Sequence, residues 1–105
     1  MILYNVTLTL EHEIHEAWLD WMTNHHLAEV MATGMFLGYR VSKLLIPDNP
    51  DQVTYTAQYL CESQEKLDLY RSEFAPALQA DGFRRFGDKM LAFRTVMEVV
   101  ADSNS

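Results

Sequence analysis

Four histidines, one arginine inside an apolar run and two amides are the side chains of this chain best equipped for chemistry. His25 and His26 are adjacent, and neighbours on a helix point about 100° apart, so they serve different faces. On the phase of the surrounding apolar residues, His25 falls near the centre of the stripe that should be buried, as a hydrogen-bonded histidine at the core edge. His26 flanks that stripe, where an imidazole can face a cleft as acid, base or ligand. His12 and His15 lie among Glu11, Glu13 and Glu16, an acidic run that can meet a divalent cation. Its spacing matches no metal motif, because an HExxH site needs histidines at i and i+4 around the glutamate. A solvated first turn accounts for it, and neither a metal nor a cofactor is expected. Arg94, within MLAFRTVMEVV, must reach solvent, a carboxylate or a ligand. A pair with an acidic neighbour is the simpler outcome. Asn5 and Gln58 can orient a polar ligand on a sheet or hydrogen-bond each other. No nucleophile beside a base, phosphate-binding glycine loop or carboxylate pair is present, so no catalytic residue is assigned.

The elements that must position these groups follow from periodicity. Ile2 to Leu10 alternates Ile2, Tyr4, Val6, Leu8 and Leu10 with Leu3, Asn5, Thr7 and Thr9, which predicts a strand with its greasier side toward helices. His12 to Thr33 reads as a helix with Ile14, Trp18, Trp21, Met22, His25, Ala28 and Ala32 on one stripe, capped by Gly34. Trp18 and Trp21 fit that core stripe better than a cofactor box. Met35 to Ile46 predicts a second strand, PDNPD a turn, and Val53 to Cys61 a third strand pairing with the second as a hairpin. Tyr4, Tyr55 and Tyr59 then face the helices. Ser63 is a good N-cap for a second helix with Leu67, Tyr70, Phe74, Ala77 and Leu78 inward. Pro76 should kink it, and Asp81 and Gly82 should close it. Met90 to Val100 is the fourth strand, and 101–105 a frayed tail.

The order βαββαβ, with right-handed crossovers, gives a four-stranded antiparallel sheet with two helices on one face. This α+β, ferredoxin-like fold fills a single domain, 1–105. The other sheet face mixes Asn5, Thr7, Thr54, Thr56 and Gln58 with Leu3 and Leu60. Such a wall is too apolar to stand bare, so a homodimer through that face is expected, completing a dimeric α/β barrel.

Composition narrows the partners. The net charge of −7 is uneven: residues 1–52 carry two basic side chains, Arg40 and Lys43, against seven acidic ones. Such a field repels phosphate backbones, and the basic cluster Arg84, Arg85, Lys89 and Arg94 is interleaved with Asp81 and Asp88, so nucleic acid is not expected. No run approaches the roughly 20 apolar residues of a membrane span, and the N-terminus lacks a signal-peptide succession; a cytoplasmic location without membrane partners is expected. Lone Cys61 has no disulfide partner within the chain, in keeping with a reducing compartment.

MILYNVTLTL, WLDWM followed by His26 and ATGMF, VTYTAQY and FGDKMLAFRTVME together resemble a family of small bacterial proteins known as a domain of unknown function. The resemblance runs over nearly the whole chain and implies the dimeric ferredoxin-like fold. Members often carry isoleucine and proline after the histidine; Leu27 and Ala28 stand here, so a straighter helix is expected at that point. The wider superfamily includes small monooxygenases and haem-degrading enzymes that use the space between sheet and helices. Three functions follow as expectations. The first is an uncharacterised protein binding a small organic ligand in a cavity beside the sheet, with His26, Asn5, Arg94 and Gln58 as its candidate residues. The second is a cofactor-independent or haem-linked monooxygenase, and the third a structural or regulatory protein-binding module.

Overall fold

The computed structural model describes residues 1–103; Asn104 and Ser105, the end of the expected frayed tail, lie outside the described residues. Strands β1 (Ile2–Glu11), β2 (Gly38–Lys43), β3 (Gln52–Cys61) and β4 (Met90–Glu98) form one antiparallel sheet in the order β2-β3-β1-β4. The first helical segment spans residues 12–32 and the second residues 64–86, which gives the expected βαββαβ order. Alternation along β1 and β3 sends Tyr4, Leu8, Leu10, Tyr55, Ala57 and Tyr59 into the core beneath both helices. Trp18, Val30 and Leu67 are wholly buried from the helix side. Removing each such side chain from water contributes about 1.5–3 kcal/mol. Cys61 is buried there as well, its single S–H shared between the Met35 and Ser63 carbonyls, 3.3 and 3.4 Å away.

The helix ends obey local chemistry. Glu11 makes no capping bond, and the first turn is a 3₁₀ turn, His12–Ile14. Gly34, at φ 75, closes the segment, its N–H donating to Met31 O. Ser63 caps the second segment by accepting from the Lys66 N–H. Gly82, however, does not end that segment. The helix continues to Phe86 and stops at Gly87, whose φ of 59 suits a residue without Cβ. Gly82 serves close packing instead: a Cβ there would lie 3.3 Å from Trp21 Cη2 and 3.4 Å from Met90 Cε.

Both segments are interrupted by a π turn, in which hydrogen bonds run from i to i−5: Met22–His26 in the first, closed by Leu27 N–H to Met22 O, and Tyr70–Phe74 in the second, closed by Ala75 N–H to Tyr70 O. The expected kink at Pro76 takes this form, since the wide turn just before the ring accommodates its missing N–H. In the first segment the extra residue changes the phase of everything after it. Leu27 and Val30 are buried where Ala28 and Ala32 were expected, and His25 is exposed rather than central to the stripe. The straighter helix expected from Leu27 and Ala28 is likewise not found, the turn lying immediately before them.

Two strands are shorter than their apolar runs. Phe36 is buried ahead of β2, while Leu45 and Ile46 leave the ladder after Leu44 N–H bonds Thr54 O. Pro47 has no N–H to offer the ladder, and Asn49 closes the turn by accepting from the Asp51 N–H. β4 ends at Glu98, with one further bond from Val99 N to Met1 O. Among the described residues, no helix is long and apolar enough to cross a membrane.

Candidate functional site

The two π turns face one cavity between the helices and the sheet. Met22 and His26 from the first turn and Tyr70 from the second line it, with Trp18 and Trp21 on one wall and Tyr4, Ala57 and Tyr59 on the sheet floor. Its open volume is about 80 Å³. π turns often mark functional sites because the widened backbone re-aims side chains. Here the first turn aims His26 inward, its ring stacked on Trp21 at 4.5 Å between centroids.

The wall behind Trp21 is built to hold that indole in place. Phe86 meets it edge-on at 5.5 Å, the Arg85 guanidinium lies 5.9 Å from the ring centroid, and the bare Cα of Gly82 lets the second helix approach. Trp18 is held by Tyr55, 4.9 Å away. Beneath them Tyr4, Phe36, Tyr59 and Tyr70 form an aromatic cluster, with centroids 4.7 to 6.3 Å apart.

Burial sets the electrostatics of the site. Burial lowers the His26 pKa below its ordinary value, with the His25 charge adding to this and Glu29 and Asp81 opposing it, so the ring is neutral at pH 7. Burial also pushes the Tyr70 hydroxyl up to about 12, Tyr4 adding to the effect and Arg94 opposing it. The Tyr59 hydroxyl is raised by burial and by its tyrosine neighbours. Three of the residues lining the cavity, Trp18, Trp21 and His26, each carry a ring nitrogen (Nε1, Nε1 and Nδ1) that is buried without a protein hydrogen-bond partner.

Arg94 stands at the mouth. It lies opposite Val6 in the ladder and therefore on the helix side of the sheet. The helices cover β1 and β3 but leave this side of β4 uncovered, so Ala92 and Arg94 are exposed while still lining the cavity. The carboxylate pair expected for Arg94 is not formed: none of the ion pairs among the described residues includes it.

The four candidates therefore fall on two faces. His26 and Arg94 share the cavity, whereas Asn5 and Gln58 are neighbours in register on the opposite face. The Asn5 amide donates to Thr7 Oγ1 and Thr95 Oγ1 rather than to Gln58, and its Oδ1 is buried without a partner. Sequence reasoning missed Trp21, Tyr70 and Gly82 as cavity residues, although a glycine within a helical run was a visible signal for close approach.

Outside the cavity, His25 Nε2 lies 2.7 Å from Glu29 Oε1 and 3.9 Å from Asp81 Oδ2. These three groups bring ligand atoms within 4.8 Å of one another and could hold a divalent cation. Arg84 and Arg85 lie 3.1 and 3.5 Å from the other Asp81 oxygen, and their charges offset the negative charge that would attract one. In the acidic first turn, Glu13 pairs with Lys89 at 2.8 Å, tying the start of the first helix to the start of β4.

Comparison with known proteins places this geometry in a family. The family described as "Domain of unknown function (DUF4286)" matches residues 1–100. No curated protein matches the sequence. Among solved structures, an ethyl tert-butyl ether d (EthD) family protein from Bacillus halodurans c-125 is 16% identical with a TM-score of 0.70, over 95% of this chain and 100% of that one. A variant of MhuD with two manganese protoporphyrin IX molecules bound per active site is 19% identical at TM-score 0.66, covering 95% and 96%. A dimeric ferredoxin-like protein from an uncultured marine organism is 15% identical at TM-score 0.62, covering 97% of each chain. At such identities the likeness is one of fold, and the fold is ferredoxin-like.

Proposed function

The chain belongs to the DUF4286 family, a domain of unknown function, and we propose that it binds a small organic molecule in the cavity between its helices and sheet. The observation that carries this is the convergence of two π turns on one space whose lining includes three aromatic residues, Trp18, Trp21 and His26, each with a buried ring nitrogen that no protein group pairs. Each such atom costs about 1–3 kcal/mol of desolvation unless something pairs with it. A ligand with hydrogen-bonding groups recovers that cost. Protein-observed NMR against a fragment collection is the test: ligands should move the signals of His26, Trp18 and Trp21 together. A collection that shifts none of the three sinks the proposal.

The binding unit in this proposal is a cytoplasmic homodimer joined through the open sheet face. There Leu91 and Phe93 are 63% and 68% exposed on a regular strand beside Met97 and Leu3, a patch that a second copy would cover. Asn5 and Gln58 then belong to the interface, where Asn5 Oδ1 can find its missing partner.

A haem-linked oxygenase is the second reading, favoured by the likeness to the MhuD variant. His26 is the cavity residue whose ring nitrogen could then serve as a ligand to the haem. A cavity of about 80 Å³ must widen greatly to admit a porphyrin, which weighs for the first reading. Haem titration separates them: a saturable Soret shift abolished by His26→Ala supports the oxygenase, and no shift removes it.

A further inference from the structure

Resting on the cavity reading above, we infer that the ligand is a small, single-ring aromatic carboxylate, its ring against the Trp21 indole and its anionic end at Arg94. The charge balance of the lining carries this. The chain has 15 acidic and eight basic side chains, yet among the described residues no carboxylate lines the cavity and a guanidinium does. In a protein with a net charge of −7, a site with that local sign selects against cations.

The polar inventory points the same way. Indole nitrogens only donate, and Arg94 offers five donors in a planar fork matched to a carboxylate. Among the described residues, Trp18 Nε1 and Trp21 Nε1 are buried donors without a protein partner, and the Arg94 guanidinium at the mouth enters no ion pair. A ligand meeting all three must be rich in acceptors. The other polar residues of the lining, Gln79, Tyr4, Tyr59, Tyr70 and the neutral His26, can each both donate and accept and leave the balance unchanged, while Asp81 and Glu29 act on His26 from the outer surface, where Asp81 is held by Arg84 and Arg85.

Shape supplies the ring and its size. Trp18, Trp21, Tyr59 and Tyr70 give flat walls that favour a planar partner. An open volume of about 80 Å³ excludes a fused ring system and admits a single ring only where the walls give way and its polar end stays outside at the open mouth. The polar end is set by geometry, since the cavity opens along β4, where Arg94 is exposed.

Three probes of matched shape test the assignment: benzoate, benzyl alcohol and benzamidine, titrated by calorimetry and by tryptophan fluorescence, Trp18 and Trp21 being the two tryptophans of the chain. Benzoate should bind at least about tenfold more tightly than benzyl alcohol, and benzamidine should not bind. Arg94→Gln should erase the preference without lowering the melting temperature, because Arg94 is exposed. Equal affinity for the three probes, a preference for benzamidine, or a benzoate preference that survives Arg94→Gln overturns the assignment. Failure of benzoate to bind, when other fragments move the His26 and Trp21 signals, overturns it while the cavity reading stands. If no compound moves those signals, both fall.

Discussion

The His26 imidazole lies on the Trp21 indole with ring centroids 4.5 Å apart and planes 26° from parallel. The stack joins the two residues on which the site depends. It shields one imidazole face from water, and Nδ1 is buried without a partner. Both effects penalise a charged ring.

The burial of His26 sets a pH dependence of stability. Its folded pKa is lowered from 6.5, so above about pH 6.5 the ring is neutral in both folded and unfolded chains and stability is full. As pH falls below that value the unfolded chain takes up the proton first, and stability declines until the lower folded pKa is passed. His26→Gln should flatten this part of the profile. Urea denaturation of both proteins across the range is the check; superimposable slopes would show that His26 stays accessible to protons.

Ser63 tests a single local contact. Its hydroxyl accepts from the Lys66 N–H at 3.2 Å, and Ser63→Ala should cost about 1 kcal/mol with an unchanged denaturant slope. A loss below about 0.3 kcal/mol would mean that water satisfies the turn as well.

Gly82 should respond to size in opposite directions. Alanine in an exposed helix interior gains up to about 1 kcal/mol over glycine, but here the new Cβ meets Trp21 at 3.3 Å. Gly82→Ala should therefore gain less than that, and Gly82→Leu should destabilise by about 1–3 kcal/mol while displacing the Trp21 signal in NMR spectra. A stable leucine variant with an unmoved indole would disprove the close packing.

Phe93 tests the open sheet face. Light scattering of the unmodified protein should give about twice 12.2 kDa, and Phe93→Glu about 12.2 kDa with an unchanged circular dichroism spectrum. A monomeric parent protein removes the dimer.

Element order, sheet face and the Ser63 cap were legible because they depend on patterns within a few residues. β1 shows this best, with Tyr4, Val6, Leu8 and Leu10 all buried on one side. The helix phase was not legible beyond Met22. A π turn leaves composition unchanged and differs from an α turn by one residue of register, which packing decides; that is why His25 looked central and His26 peripheral. Pro76 did announce the second wide turn, since a missing N–H has a local consequence. Gly82 looked like the helix end that Gly87 in fact provides, and only the proximity of Trp21, 61 positions away in sequence, marks it as a packing glycine rather than a capping one. His26 and Arg94 were found individually, but their shared cavity depends on which face of β4 the helices leave uncovered.

That uncovered face of β4 has a kinetic consequence. The entrance beside Ala92 and Arg94 is floored by a hydrogen-bonded strand, so a ligand can arrive and leave without a lid having to open. Encounter then sets the association rate, and an anion approaching a chain of net charge −7 is slowed by long-range repulsion that added salt screens. Stopped-flow mixing with benzoate should show one concentration-dependent phase whose rate rises with ionic strength; a plateau at high benzoate would reveal a gate.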